Sequence, residues 1–441
     1  MRIFAHKNWN DMKQMIIMVA MLALLGACSN EETANVEEQS IVNEPEQPKG
    51  FEVAYQENVF ALDETEYTKV PRLNEFALSL FREQRKANVQ NSMVLSPLSV
   101  AFVLGMLNEG SEGQTGKEIV NTLGLDGMDH EHVNGLFKKM IDGLQKDTSG
   151  IVAALANNVT VNNKYSLKKD YSRTVNDNYK ALALSLDFSS PQALQTINSW
   201  CSEQTHGLIP SIVDDLSPDV VMCLLNAIYF KGLWSHAFDE ANSRPVTFFY
   251  PNGDEAELKT ANQLENVEYF ESEELKAIRL PFGDSSYAMT LLLPMKNNGL
   301  ESMMKKITAE MIYKMQFTNY QVLINLPIFQ TQTTTNLKPV LNKLGIVTAF
   351  GDNAQFTRMA DIPQSLYVSK MEQKARLGID EKGCEGAAVT IAELIITSDG
   401  EDKGGNTVQP QRIFTANHPF VYMITEKTTG AILFLGQFCG N

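Results

Sequence analysis

In residues 380–398, small neutral side chains recur at every second position, a pattern that suits a strand with one tightly buried face. Over residues 384–395, one set of alternate positions is neutral, and the other set holds the two charged residues, Glu385 and Glu393. The stretch follows a strand-like segment, 366–379, and runs into 399–410, whose composition is typical of an exposed loop. The chain must therefore attach a strand-competent segment to a loop, although an edge strand that runs into a loop would also give this pattern. The first set is neutral, and its members are small until the last: Cys384, Gly386, Ala388, Thr390, Ala392 and Leu394.

The remaining pattern predicts helices interspersed with antiparallel strands. Apolar residues at helical spacing predict a helix that begins near Leu73, and Ser96-Pro97 is typical of the start of another. Residues 221–230 are nearly all apolar, which indicates a strand buried on both faces. Two apolar runs separated by Lys427-Thr428-Thr429-Gly430 predict a C-terminal hairpin. We therefore expect an α+β fold in one large domain.

The charge of the chain is unevenly distributed. The 441 residues have a formal net charge of −16 and a pI near 4.9, which argues against nucleic acid as a partner. Residues 1–27 contribute +2 and residues 28–66 contribute −10. The remainder, residues 67–441, carries only −8 and is the predicted folded domain.

The N-terminus has the pattern of an export signal. An apolar run over residues 15–27 follows basic residues and is too short to span a bilayer. It ends in Leu25-Gly26-Ala27-Cys28, which resembles the bacterial lipobox, so we predict a lipoprotein signal peptide at 1–27 with lipid attached to Cys28. Residues 28–66 are predicted to be an acidic, flexible tether. The protein is therefore expected to be lipid-anchored in a bacterial envelope, at the outer membrane, the cell surface or the periplasmic face, with the lipid as its membrane contact.

The sequence offers no pattern for catalysis or metal binding. Residues 111–118 resemble a phosphate loop, but Ser111 replaces the first glycine and Glu118 replaces the hydroxyl residue that would hold magnesium. No Gly-x-Ser-x-Gly elbow occurs. The cysteines after Cys28 lack metal-ligand spacing, as do the histidines. We expect neither an enzyme nor a cofactor.

Several motifs, in order along residues 67–441, resemble those of the serpin family. The resemblance implies an α+β serpin fold, with helices around three mainly antiparallel sheets and an exposed reactive-centre loop at about 383–412. It also implies a suicide-substrate inhibitor that traps an acyl-enzyme by inserting its cleaved loop into the central sheet. The motifs are Asn91–Ser99, Asn226–Trp234, Leu326–Phe329, Leu344–Ile346, Glu381–Ala388 and Asn417–Phe420.

The same resemblance assigns roles to individual residues. Trp234 is expected at the breach, where the loop enters the sheet. The reactive bond is expected between Thr397 and Ser398, with Ile396 as the alternative residue before the cut. The polar shutter is expected to consist of Ser96, Ser99, Asn226 and Gln373. The hinge and its inserting residues are expected to be Glu381, Gly383, Cys384, Gly386, Ala387, Ala388 and Thr390.

The residues at the expected reactive bond indicate the class of protease that the protein would bind. Thr397, preceded by apolar residues, suits the shallow apolar pocket of an elastase-like serine protease, with subtilisin-like and papain-like proteases as alternatives. A non-inhibitory or substrate-type serpin that acts as a binding or chaperone protein is the other alternative. No dense Lys/Arg helix suggests a heparin site, and we expect a monomer. Gln373 stands where many inhibitory members have histidine, Cys384 replaces the usual Thr or Ser, and residues 399–410 lengthen the loop.

Overall fold

The computed structural model describes residues 51, 53–146, 150–204, 207, 210–360, 366–385 and 411–440. In this part, helices occupy both the N-terminal third and short segments between strands. Their bounds are α1 Glu64–Tyr67, α2 Val70–Arg85, α3 Pro97–Gly110, α4 Gly113–Thr122, α5 His130–Leu144, α6 Lys169–Tyr179, α7 Pro191–Gln204, α8 Leu300–Lys306, α9 Ala309–Lys314 and α10 Leu337–Lys343. None of the helices in these ranges is long and apolar enough to cross a membrane.

The described strands form two hydrogen-bonded sheets. The strand bounds are β1 Met93–Leu95, β2 Ile151–Asn162, β3 Leu182–Leu186, β4 Met222–Leu233, β5 Arg244–Phe249, β6 Glu255–Glu271, β7 Leu275–Phe282, β8 Tyr287–Pro294, β9 Thr318–Pro327, β10 Phe329–Asn336, β11 Lys370–Ile379, β12 Gly383–Glu385, β13 Arg412–Thr415, β14 Phe420–Glu426 and β15 Ile432–Phe438. The larger sheet has the order β1-β15-β14-β8-β7-β6-β9-β13 with β5 beside β6, and the smaller has the order β10-β11-β12-β4-β2-β3. The α+β class is confirmed, but the three expected sheets are hydrogen-bonded as two, because the long strand β6 pairs with β5, β7 and β9.

The core lies between the sheets and is centred on α3. Every residue of this helix is buried, as expected for a helix that is apolar on all sides. Pro97 occupies its first position, where a missing N–H costs nothing. The helix packs against β4 and β15, so it bridges the two sheets. Its N-cap, Ser96, bonds to Gln373 of β11 and to Leu433 of β15, so the N-terminus of the helix lies between the two sheets.

The packed domain begins before residue 67, so the predicted tether of 28–66 is too long. Phe60 and Leu62 are each only 1% exposed and belong to the core, because apolar side chains gain free energy when they leave water. Asp63 then caps α1 through a reciprocal hydrogen-bond pair with Glu66. Further upstream, the ring of Phe51 lies 5.2 Å from that of Tyr313. The prediction missed these buried apolar residues because the acidic composition of 51–66 is typical of a solvated segment.

Strand β4 has two different neighbours along one edge. Over Lys370–Lys374, β11 pairs with it directly and in parallel. Beyond that point the short strand β12 pairs antiparallel with both β11 and β4. The smaller sheet thus has an additional strand between β4 and β11 at one end and a direct β4–β11 pairing at the other.

Candidate functional site

The predicted hinge already lies between two strands. Cys384 pairs with Gly232 of β4 and with Ile379 of β11, and its side chain is only 1% exposed. Gly383 approaches β4 so closely that a Cβ atom would lie 2.2 Å from the carbonyl oxygen of Gly232. Only glycine fits at this position, because a real side-chain atom cannot come that near to the backbone. The start of the predicted loop is therefore seated as a strand.

Trp234 lies directly beside this hinge. Its indole Nε1 donates a hydrogen bond to the carbonyl oxygen of Asp380 at 2.9 Å, and its backbone N–H donates to Lys382 at 2.9 Å. The ring stacks on Phe282 with centroids 4.6 Å apart. The carboxylate of Asp380 in turn accepts hydrogen bonds from the backbone N–H groups of Lys382 and Gly383. These contacts fix the turn that leads from β11 into β12, and we refer to Trp234, Asp380, Glu381, Gly383 and Lys259 as the breach.

Glu381 is the buried charged member of the breach, whereas Asp380 and Lys259 are exposed. One carboxylate oxygen lies 2.7 Å from Nζ of Lys259 and accepts a hydrogen bond from Ser243 at 2.7 Å. Burial by itself would raise the pKa of Glu381, but the hydrogen bonds from Lys259 and Ser243 hold this pKa below its ordinary value. Glu381 therefore carries its charge at neutral pH while its side chain is only 7% exposed.

The four predicted shutter residues meet at the start of α3. Nε2 of Gln373 donates to the carbonyl oxygen of Ser96 at 2.9 Å and to Oγ of Ser99 at 2.8 Å, while its Oε1 accepts from the N–H of Ser96 at 3.0 Å. Oγ of Ser99 donates to Oδ1 of Asn226. Gln373 and Asn226 are register partners in the parallel β11–β4 pairing. The amide of Gln373 thus both donates and accepts within the shutter.

The sequence analysis missed a fifth member of the shutter and two members of the breach. Nδ2 of Asn226 donates to Oδ1 of Asn157 in β2 at 2.8 Å, and Asn157 is itself buried. The signal was the pair Asn157-Asn158 directly after the apolar run 151–156, because a polar residue buried there must find a partner. Asp380 and Lys259 carried no comparable signal, since charged residues near turns are common. The shutter is therefore defined below as Ser96, Ser99, Asn157, Asn226 and Gln373.

The described cysteines are thiols held away from solvent. Burial raises the pKa of Cys201, Cys223 and Cys439 to about 12 in each case, so these thiols are poor nucleophiles. They and Cys384 form no disulfide in the described part of the chain. Within the same part, no group of His, Cys, Asp and Glu side chains could hold a metal ion.

Several predicted site residues lie outside the described residues. These are Cys28 at the predicted lipid site; Gly386, Ala387, Ala388 and Thr390 of the inserting segment; and Ile396, Thr397 and Ser398 at the predicted reactive bond.

Comparisons with known proteins agree with this architecture. The sequence signature of the Serpin family (serine protease inhibitor) matches residues 71–440. Serine protease inhibitor 42Dd of Drosophila melanogaster is 31% identical over 357 residues, which cover 80% of this chain and 92% of that protein. Serpin48 of the insect Tenebrio molitor superposes with a TM-score of 0.75 at 27% identity, covering 86% of this chain and 99% of that chain. Human thyroxine-binding globulin superposes with a TM-score of 0.74 at 26% identity, covering 85% and 98%. The chain belongs to the serpin family.

Proposed function

We propose that this serpin is a suicide-substrate inhibitor of an elastase-like serine endopeptidase. The protease would attack the loop and form an acyl-enzyme. The freed loop would then insert between β4 and β11 before the acyl bond is hydrolysed. About 15 inserted residues at roughly 3.3 Å each would carry the protease some 50 Å. Catalytic geometry fails at displacements of about 1 Å, so the acyl-enzyme would be trapped.

The main support for this proposal is that the hinge residues already form a strand between β4 and β11. Strand β12 pairs antiparallel with both neighbours, as a central inserted strand must. If its register continued, Thr390 would lie opposite Asn226 on β4 and opposite Gln373 on β11. Those two residues are now paired directly with each other. Insertion would therefore part the β4–β11 pairing at the shutter, and the hydroxyl of Thr390 would arrive between two amides that can bond to it.

The inward positions of the inserting segment suit this path. Cys384 already fills the first of them and is buried. Gly386, Ala388 and Thr390 follow at alternate positions, and all are small and uncharged. A charge or a proline there would stall insertion, because a buried unpaired charge or a missing ladder N–H is costly. The sequence contains neither at these positions, which supports an inhibitor over a permissive substrate.

Specificity rests on the residues before the predicted cut. Thr397 follows Leu394-Ile395-Ile396, and this run suits a small or shallow apolar pocket. A cut after Ile396 would leave the same class of protease. The first lysine or arginine after Gly383 is Lys403, too far downstream for a tight displacement by a trypsin-like enzyme.

A denaturing gel tests the mechanism. After incubation with an elastase-like protease, we expect an SDS-stable band at the sum of the two masses, with loss of protease activity. Thr397→Arg should move inhibition toward trypsin-like proteases, and Gly386→Pro should convert the inhibitor into a substrate. A clipped serpin beside fully active protease would refute the inhibitory mechanism. Complexes with only subtilisin-like or papain-like enzymes would retain the mechanism and change the target class.

A cleft beside α9 favours a second candidate function, small-molecule binding. It has a volume of about 680 Å³, and its apolar lining includes Phe270, Leu275, Met311 and Met315. Its polar side consists of two ion pairs, Lys306 with Glu274 and Lys314 with Glu310, together with Ser272 and Glu273. Apolar walls with a few polar groups are typical of ligand sites. Thyroxine-binding globulin, a structural neighbour, is named for such binding. Saturable binding of an uncharged fluorescent aromatic probe, abolished by Met311→Asp, would support this function, and it would replace the inhibitory one if no covalent band forms.

We also propose that the mature protein is lipid-anchored through Cys28 in a bacterial envelope. The short apolar leader and Leu25-Gly26-Ala27-Cys28 support this location. Cys28→Ala should release the protein from membranes when it is expressed in a Gram-negative host. Membrane retention of that variant would contradict the anchor.

A further inference from the structure

Three aromatic side chains form one surface at the point where the described chain begins. The ring of Phe51 lies 5.2 Å from that of Tyr313 in α9. The ring of Tyr55 lies 5.5 Å from that of Tyr67. Burial and the neighbouring phenols of Tyr313 and Tyr55 raise the pKa of Tyr67 to about 12, so the two ring pairs adjoin each other. Tyr55 is 46% exposed and Tyr313 is 41% exposed. We call Phe51, Tyr55 and Tyr313 the aromatic edge.

The backbone that carries the aromatic edge is fixed to the domain. The side chain of Asn58 accepts a hydrogen bond from the N–H of Leu62 at 3.2 Å, and Leu62 belongs to the core. Tyr67, whose ring meets that of Tyr55 edge to face, donates from Oη to the carbonyl oxygen of Thr428 at 2.8 Å. Tyr55 is therefore exposed because the fold turns it outward, on a segment that is itself anchored.

The charges around the aromatic edge restrict what can cover it. Glu57, Asp63 and Glu64 are exposed, and residues 53–66 contain no lysine, arginine or histidine. On α9, Lys314 pairs with Glu310 and therefore adds no net charge. A densely negative partner would be repelled by the acidic segment. A tyrosine has an apolar ring and a polar tip, which suits a boundary between water and hydrocarbon.

The chain that leaves the aromatic edge leads to the proposed lipid. Only residues 29–50 separate Phe51 from Cys28, so these two residues lie at most about 80 Å apart. Phe51 is the first residue that the structure describes, and Tyr55 follows four positions later. Among the described residues, those of the aromatic edge are consequently joined to the lipid site by the shortest length of chain.

We propose that the aromatic edge rests in the headgroup region of a lipid bilayer. This inference rests on the proposed lipid anchor at Cys28 and does not depend on the inhibitory mechanism. The apolar rings of the edge face the uppermost acyl carbons, and the hydroxyls of Tyr55 and Tyr313 lie at the level of the headgroups. The lipid surface is zwitterionic, because the acidic segment disfavours anionic headgroups. The lipid on Cys28 attaches the protein, and the aromatic edge fixes which way the domain faces.

Tethering lets a weak contact be occupied for most of the time. A tether gives an effective concentration of about 1 mM, so a contact with a Kd of about 0.1 mM is formed roughly nine-tenths of the time. A thiol within the contact should then react with an aqueous reagent about tenfold more slowly, because only the free tenth is accessible.

The test places a thiol beside the aromatic edge by the substitution Ala54→Cys in the lipidated protein. Ala54 is exposed and adjacent to Tyr55, so the change is small. The protein is reconstituted in phosphatidylcholine vesicles, and its rate of reaction with a negatively charged maleimide is compared with that of the Cys28→Ala variant in solution. The native thiols of the described residues should not compete because they are buried, namely Cys201, Cys223, Cys384 and Cys439.

Ala256→Cys is the matched control. Ala256 is also exposed, but it lies at the opposite end of β6 from Phe270, which lines the cleft beside α9. Fourteen residues of strand separate the two, or about 45 Å. A fall in labelling at Ala54→Cys and not at Ala256→Cys therefore reports on the aromatic edge and not on crowding by the vesicle.

We expect the vesicles to slow the labelling of Ala54→Cys about tenfold and that of Ala256→Cys by less than about twofold. Adding Tyr55→Ser and Tyr313→Ser should restore the labelling rate of Ala54→Cys. Adding Val347→Ser, which removes a 57% exposed side chain whose N–H bonds to Glu118 of α4, should not restore it. Replacing about a third of the phosphatidylcholine by phosphatidylglycerol should weaken the protection at low salt and have less effect at high salt.

The outcomes separate the contact from the anchor. Equal labelling of Ala54→Cys on vesicles and in solution, in a protein that stays on the vesicles, would overturn the contact and leave the lipid anchor standing. Equal protection of Ala54→Cys and Ala256→Cys would also overturn the contact. A wild-type protein that carries no lipid and remains in the supernatant would overturn the anchor and the contact together. If Ala54→Cys is already protected in the Cys28→Ala protein without vesicles, and more so at higher protein concentration, the aromatic edge is a contact between copies and the proposal is wrong.

Discussion

The shutter and the breach join the same two strands, β4 and β11, with different chemistry. The shutter consists of neutral side chains that are entirely enclosed, and each bonds to another residue of the network. The breach depends on a charge, because Glu381 is enclosed while its partner Lys259 is 61% exposed. Separating β4 from β11 at the shutter must therefore break buried hydrogen bonds between neutral side chains. These side chains do not ionise at ordinary pH. Opening at the breach depends on a carboxylate and on the absence of a side chain at Gly383.

This difference predicts an order of effects. A buried hydrogen-bonding group without its partner costs about 1–3 kcal/mol, whereas a partly exposed ion pair contributes at most about 1 kcal/mol. Changes at the shutter should therefore reduce the stability of the whole domain. Changes at the breach should act on the hinge and leave the rest of the domain intact.

Replacing Gln373 by methionine should have the largest effect. Methionine fills a similar volume but leaves the N–H of Ser96 and the hydroxyl of Ser99 without their present partner. We expect the free energy of unfolding in urea to fall by about 3 kcal/mol. Gln332→Met is the matched control, because Gln332 is exposed on β10 and should lose less than about 0.5 kcal/mol. A loss below 1 kcal/mol for Gln373→Met would show that the shutter does not hold the strands together.

Replacing Gly383 by alanine should have an intermediate and local effect. The new Cβ would clash with the carbonyl oxygen of Gly232, so β12 must leave its place beside β4. The thiol of Cys384, now 1% exposed, should then react with a maleimide at least tenfold faster, as mapped by mass spectrometry. Cys201, Cys223 and Cys439 should stay unlabelled because they remain buried. Gly135→Ala is the control, since a Cβ there meets nothing within 4 Å; equal labelling of Cys384 in both variants would show that the hinge is not held by this glycine.

More of the shutter than of the breach could be predicted, because the resemblance to the serpin family assigns four shutter residues by their position in its motifs. These residues are Ser96, Ser99, Asn226 and Gln373, and the structure brings them together because buried polar groups must find hydrogen-bond partners. Lys259 lies 122 residues before Glu381, and charged residues such as these are common in turns and at strand edges. Their pairing depends on how β6 and the end of β11 are placed in three dimensions, which no local pattern encodes. The buried anchors Phe60 and Leu62 were missed for a related reason, because an acidic context predicts a solvated segment unless its few apolar residues find the core.

Glu381→Gln should have the smallest effect and is the sharpest test of the difference between the two sites. Because the folded pKa of Glu381 lies below its ordinary value of about 4.3, its stabilisation of the hinge is complete above that value and is lost as pH falls through the folded pKa. We expect hydrogen-exchange protection of the β12 amides, corrected for intrinsic rates, to fall in the wild type as the pH drops below about 4.3, by at most about 1 kcal/mol. Glu381→Gln should show low protection with no such pH dependence. Lys382→Ser should behave as wild type, because Lys382 and its partner Glu240 are both largely exposed. The amides of Asn226 and Gln373 should keep their protection across the same range, since no member of the shutter titrates there; a fall in their protection together with that of β12 would mean that the two sites open as one unit.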